Sequence, residues 1–177
     1  MHTFSRTKLK KDLRLLLAVL AAATLLLVVF FFVMRIEPQI IDPGEMPGEP
    51  ENGADIRGYV AYETPDVCRV KICCEPQLAD GHASIYLTNP AGNAVLLRAE
   101  LYSVKVTYDE STGQASYLPD RLLGKTGFIH PGTYVEKVKV TGLQAGKENR
   151  VLVKISTMYE ESGKSNGIFY IRTTLAA

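Results

Sequence analysis

Three cysteines fall within seven residues, Cys68, Cys73 and Cys74, and thiols are where a nucleophile, a soft metal ligand or a disulfide would be sought. On a strand, Cys68 and Cys74 share one side with Val70 and Ile72, while Cys73 points the other way with Arg69 and Lys71. Cys68 and Cys74 would then stand ~20 Å apart, beyond disulfide reach, and Cys73 and Cys74 face opposite sides of the sheet. Cys68 and Cys74 are therefore expected as buried free thiols that pack like small apolar side chains. Cys73, expected to be exposed beside two cations that favour its thiolate, is the candidate reactive thiol, suited to an intermolecular disulfide or a redox role. Partnership with His82 or His130 would make it a Cys–His nucleophile. Against this, both histidines neighbour turn signals, no Asn or Asp is placed to orient either ring, and no oxyanion-type glycine loop adjoins Cys73. The two are read as loop histidines. With only these two histidines outside the N-terminal tail available beside the cysteines, no metal site is expected, and no cofactor.

Other chemistry-bearing patterns dissolve on inspection. Gly124-Lys125-Thr126 and Gly163-Lys164-Ser165 copy the end of a phosphate-binding loop, but the earlier glycine that such a loop needs falls at Pro119 and Met158. Each also lies between strand patterns, without a following helix to receive phosphates, and is read as a turn. The acidic pairs Asp109 with Glu110 and Glu160 with Glu161 supply too few oxygens for a hard cation and are read as solvated turn charges.

Charge divides the chain into three. Residues 1–36 hold six Lys/Arg against Asp12, residues 37–57 hold six Asp/Glu against Arg57, and residues 58–177 are nearly balanced. No segment joins a folded body to strong positive charge, so a nucleic-acid partner is not expected.

The elements that must carry these residues are of three kinds. From Leu15 to Met34 the single polar residue is Thr24. Twenty helical residues match a hydrocarbon core of ~30 Å, so a transmembrane helix is expected over 15–36. Arg6, Lys8, Lys10, Lys11 and Arg14 precede it and Arg35 alone follows, which places a basic tail, 1–14, in the cytoplasm and the rest outside. The run is longer than a signal-peptide core, and its small-residue triplet Ala21 to Ala23 sits mid-span, so an uncleaved anchor is expected. Residues 37–57 interleave four prolines with three glycines and read as an extended acidic stalk outside the core, with an edge strand through Ile40 and Ile41 as the weaker alternative. Residues 58–177 show short β-branched and aromatic runs between turn residues. Strands are expected near 59–63, 67–74, 83–88, 95–108, 128–129, 133–140, 150–159 and 168–175. Val151, Val153 and Ile155 alternate with Lys154 and Ser156, as Phe169, Ile171 and Leu175 do with Tyr170 and Arg172. Seven or eight such strands describe an all-β, immunoglobulin-like antiparallel β-sandwich.

Within this body Asn89-Pro90-Ala91-Gly92-Asn93, then Leu97 to Leu101, Gly124 to Gly132, Leu143 to Gly146 and Thr173 to Leu175 follow in order. The series resembles a group of small, single-span, surface-exposed proteins of Gram-positive bacteria whose outer domains carry N-P-x-x-N and S-G-x-I-x-P-G signatures. Gly124 and Thr126 stand where that group usually has Tyr and Ser. The resemblance spans about 85–177 together with the anchor-and-stalk arrangement. It implies an envelope role in surface contact or conjugation, with another protein as partner, and brings no catalytic residue.

The expectation is a membrane-anchored interaction module rather than an enzyme, with a thiol-dependent enzyme or redox protein using Cys73 as the competing class. Loops at the ends of a sandwich carry recognition. The long hairpin from Tyr108 to Leu118 presents Tyr108, Asp109, Glu110 and Tyr117 as the candidate partner contact, since tyrosine gives large contact area at low entropic cost.

Overall fold

The computed structural model describes residues 6–34, 40–51, 53–64, 68–143 and 148–176. The chain forms two compact units, Met1–Pro38 and Gln39–Ala177. Expectations that fall on Arg35, on residues 37–39, on Val67 and on the Ala145-Gly146 turn lie outside the described residues.

The first unit is helix α1, Arg6–Met34, 29 residues without a glycine or proline to interrupt them. Its side chains are described over 14–28, and all are exposed, from Leu27 at 54% to Leu26 at 70% among the large apolar ones. Thr24 returns its hydroxyl to the helix backbone, donating to Leu20 O at 2.7 Å and Ala21 O at 3.1 Å. Among the described residues no helix is long and apolar enough to cross a membrane. The described side chains cover fewer than the ~20 residues that a span needs.

The second unit is all-β. Its strands are β1 Met46–Pro47, β2 Tyr59–Thr64, β3 Cys68–Cys73, β4 Leu78–Ala79, β5 His82–Ala83, β6 Leu87–Asn89, β7 Leu96–Tyr108, β8 Ala115–Lys125, β9 Thr133–Val135, β10 Val138–Lys139, β11 Glu148–Met158 and β12 Ser165–Ala176. They form a five-stranded sheet in the order β1-β9-β6-β3-β2, a four-stranded sheet in the order β12-β11-β7-β8, and a small sheet β10-β5-β4. Every named pairing is antiparallel. The period-two alternation explains the layers. Val151, Val153 and Ile155 of β11 turn inward with Leu97, Ala99 and Leu101 of β7, and meet Val70, Ile72 and Leu87 of the five-stranded sheet in one core. Each fully buried Val, Leu or Ile there contributes roughly 1.5–3 kcal/mol. This is a sandwich-like architecture, and the expected all-β class stands at that level. Two expected runs, 83–88 and 133–140, are each broken into two short strands. Gly124 and Lys125, read as a turn, belong to β8.

The largest correction concerns the stalk. Residues 40–57 are not a spacer but a strap folded onto the body. Phe128 N donates to Ile40 O and Asp42 N to Phe128 O, both at 2.8 Å, and β1 pairs with β9. Ile41 joins Leu96, Phe128 and Met158 in a second apolar cluster. Three of the strap's acidic residues are tied to the body: Asp42 Oδ2 accepts from Gly127 N at 2.6 Å, Glu45 binds His130, and Glu49 takes Lys71 Nζ at 2.7 Å. Pro47 is tolerated because β1 is an edge strand with one side free of ladder bonds. The boundary expected at residue 58 therefore falls between 38 and 39.

Candidate functional site

The facing of the cysteines follows the expected alternation, but the environment of Cys73 does not. Cys68 and Cys74 pack against the core, and Cys73 lies on the opposite face. That face is not wet there, because the end of the strap covers it. Cys73 is 4% exposed and its Sγ donates to Arg57 O at 3.2 Å. Burial pushes the Cys73 thiol up, and the thiols of Cys68 and Cys74 likewise. All three cysteines are free. Tyr62 Oη lies 3.0 Å from Cys74 Sγ, and burial together with that contact pushes the phenol up to about 12. A cavity of about 780 Å³ adjoins Cys73, with Asp55, Arg57, Glu75, Tyr86 and Glu148 among its walls. Neither histidine belongs to that wall. The exposed, cation-activated thiolate expected at Cys73 is thus replaced by a protonated thiol beneath the strap.

The two histidines serve structure. His82 Nδ1 lies 2.9 Å from Asp80 O in the tight turn before β5. His130 stands between two carboxylates, with Nδ1 3.0 Å from Glu45 Oε1 and Nε2 3.4 Å from Glu160 Oε1. A carboxylate therefore does orient this ring, supplied from a stretch that sequence reasoning had set aside. Glu45 also accepts from His130 N at 3.1 Å. Burial works to raise its pKa, but hydrogen bonds from Thr133 and His130 outweigh it and hold the carboxyl below the usual range.

The signatures behind the resemblance are clamps. Asn89, fully buried, donates to Val95 O at 2.8 Å and Ile129 O at 3.0 Å, and accepts from Asn93 Nδ2 at 2.6 Å. Asn93 in turn exchanges hydrogen bonds with both backbone groups of Arg69. The two asparagines thereby lock the loop after β6 to β3 and to the segment before β9. Thr126 Oγ1 accepts from Ala99 N at 3.0 Å, and Gly127 admits the strap, since a Cβ there would stand 2.5 Å from Asp42 N.

The hairpin is an arm. β7 pairs with β11 only as far as Ser103, opposite Val151, and the β7–β8 ladder slips between Leu101 and Val104. Beyond that irregularity, Val104–Tyr108 and Ala115–Pro119 pair with each other alone. At the tip Asp109 Oδ1 accepts from Ser111 N, Ser111 Oγ and Thr112 N at 2.6–2.8 Å, and these bonds hold its carboxyl down at about 2. Asp109 thus builds the turn, while Tyr108 is 71% exposed. Tyr117 is drawn back onto the sheet, its ring under the Arg172 guanidinium at 5.1 Å. Of the four expected contact residues, three sit at the tip and Tyr117 midway along the arm, opposite Val106. Sequence reasoning missed Arg172 and Tyr170 as neighbours of Tyr117, although the alternation along β12 had already put both on the outer face. Deeper on that face Glu100 joins Lys154 Nζ at 2.7 Å and holds the ammonium above its ordinary range.

No protein-family model, curated protein or solved structure matches the chain.

Proposed function

We propose that the chain is a membrane-anchored extracytoplasmic interaction module, with a cytoplasmic N-terminus, α1 as its single span, and the β-body outside meeting another protein through the β7–β8 arm. What carries this is the surface of α1. Over 14–28, the described Leu and Val side chains are all exposed, and the Thr24 hydroxyl is bonded back to the helix, as a hydrocarbon solvent demands. Val29 to Met34 extend the apolar sequence to twenty residues. The five cations before the run orient it with the tail inside. The resemblance to Gram-positive surface proteins supports a role in surface contact or conjugation-related envelope assembly. An immunoglobulin-like arrangement is the specific sandwich that this likeness and the strand spacing favour.

Replacing Asp109–Ser116 by a two-residue Asn-Gly turn should spare folding while abolishing capture of the partner by cross-linking in intact protoplasts. An unchanged cross-linked set with an intact fold would remove the arm tip from the contact. A thiol-dependent activity at Cys73 is the second reading, favoured by the cavity of about 780 Å³ beside its sulfur. Cys73→Ala separates the two: an interaction module keeps its partner capture, whereas a thiol enzyme loses all function.

A further inference from the structure

Along β11 and β12, Arg150, Leu152, Tyr170 and Arg172 alternate with core residues and so share the outer face of the four-stranded sheet. The arm bends over this face through the Tyr117–Arg172 stack, and a groove of about 600 Å³ lies between them. Leu152, 4% exposed, is its floor, and Leu118, Pro119 and Tyr170 are its sides, with Leu118 and Tyr170 about half exposed. Tyr117 and Arg172 also form part of a second pocket, of about 220 Å³, walled further by Val104, Arg150, Thr173 and Thr174. Among the described residues no carboxylate lines either space. Arg150 and Arg172 take part in no ion pair among the described residues.

We infer that this double groove binds an extended segment of a protein partner in which an acidic side chain stands next to bulky apolar ones. Two guanidinium forks in a site without carboxylates match an anion, and a fork donates bidentately to a carboxylate. With Tyr117 stacked on its face, the Arg172 guanidinium keeps its in-plane N–H groups for such an acceptor. The adjoining walls of Leu, Pro and Tyr take apolar side chains. A polypeptide is favoured over a lipid because, among the described residues, the β7–β11 ladder ends at Ser103. The edge beyond it offers main-chain donors and acceptors at Val104, in the wall of the smaller pocket, which a peptide backbone can use and an acyl chain cannot. The opposite edge is blunted by Pro119, which has no N–H to give.

This names the partner chemistry for the arm proposed above and rests on that contact site, not on the membrane topology. The test is selection of a random-peptide phage library on the purified full chain. Enriched peptides should carry Asp or Glu beside Leu, Phe or Tyr. An enriched peptide remade with the amide in place of its acid should bind about tenfold or more weakly, the range for a charge-assisted hydrogen bond. The R150Q/R172Q double variant should show the same loss with an unchanged melting temperature, since both side chains are exposed. Arg172→Lys, which keeps the charge and loses the fork, should fall between the two, and serves if the double variant folds poorly. Enrichment without acidic residues, no enrichment, or unchanged binding by these variants would overturn the inference. Saturable binding of sodium laurate with no peptide enriched would overturn it in favour of a lipid. Loss of cellular capture with peptide selection intact would instead count against the cellular role alone.

Discussion

Asn89, fully buried, and Glu45, half-buried, show how polar residues hold this body together. Asn89→Ala removes, from a fully buried position, the side-chain donor to the Val95 and Ile129 carbonyls and the acceptor of Asn93 Nδ2, while Ile129 O keeps Leu97 N and Asn93 keeps Arg69. A loss of about 2–3 kcal/mol is expected in denaturant unfolding. A loss under half of that would mean the clamp is not what the asparagine is for. Glu45 has a carboxyl pKa held below its unfolded value. Its contribution is therefore complete above pH ~4.5 and is lost as pH falls through the lower, folded value. Glu45→Gln should cost about 1–3 kcal/mol at neutral pH and flatten the acid limb of the stability profile. An unaltered acid limb would show that other carboxylates govern it. The asparagines were visible in the sequence as a signature, but not their partners, which lie up to 40 residues away. The direction in which Cys73 points was equally legible. Its burial was not, because the covering carbonyl belongs to Arg57, in the stretch whose composition spoke for solvent.

Among the elements, the strap is the one that sequence pattern misplaces. Prolines and glycines argue against α-helix and against long strands, and the described residues of 40–57 hold only the two-residue β1 and a 3-10 turn at Gly53–Asp55. What they form is a set of short bridges and ion pairs whose partners, Gly127, Phe128, His130 and Lys71, only the folded body brings within reach. The long strands β7, β11 and β12 were legible because alternation persists over many residues. β8 was hidden, since nine of its eleven residues are exposed and carry no alternating burial to announce them. Gly127→Ala tests the strap at one atom. The new Cβ would meet Asp42 backbone atoms at 2.5–2.6 Å, so the strap must shift. A cost of about 1–3 kcal/mol is expected, with amide exchange accelerated over 40–48 and unchanged in β11. Deleting residues 40–54 should lower the melting temperature by about ten degrees or more, given the few degrees that each kcal/mol brings in a domain of this size. A shift of only a degree or two would restore the strap to the status of a spacer.

For the whole molecule, the division into an apolar helix and a β-body was legible from charge and hydropathy alone, and the two compact units agree with it. The join between them was not, because composition reports what a segment prefers in isolation and the strap is held by tertiary partners. The central claim is that the body lies outside the cell membrane with the N-terminus within. An epitope tag placed after Ala177 of the full chain, probed with antibody on intact protoplasts and again after permeabilisation, tests it most directly. The account predicts equal labelling before and after permeabilisation, with a tag placed before Met1 labelled only afterwards. Labelling of the C-terminal tag only in permeabilised cells would contradict it.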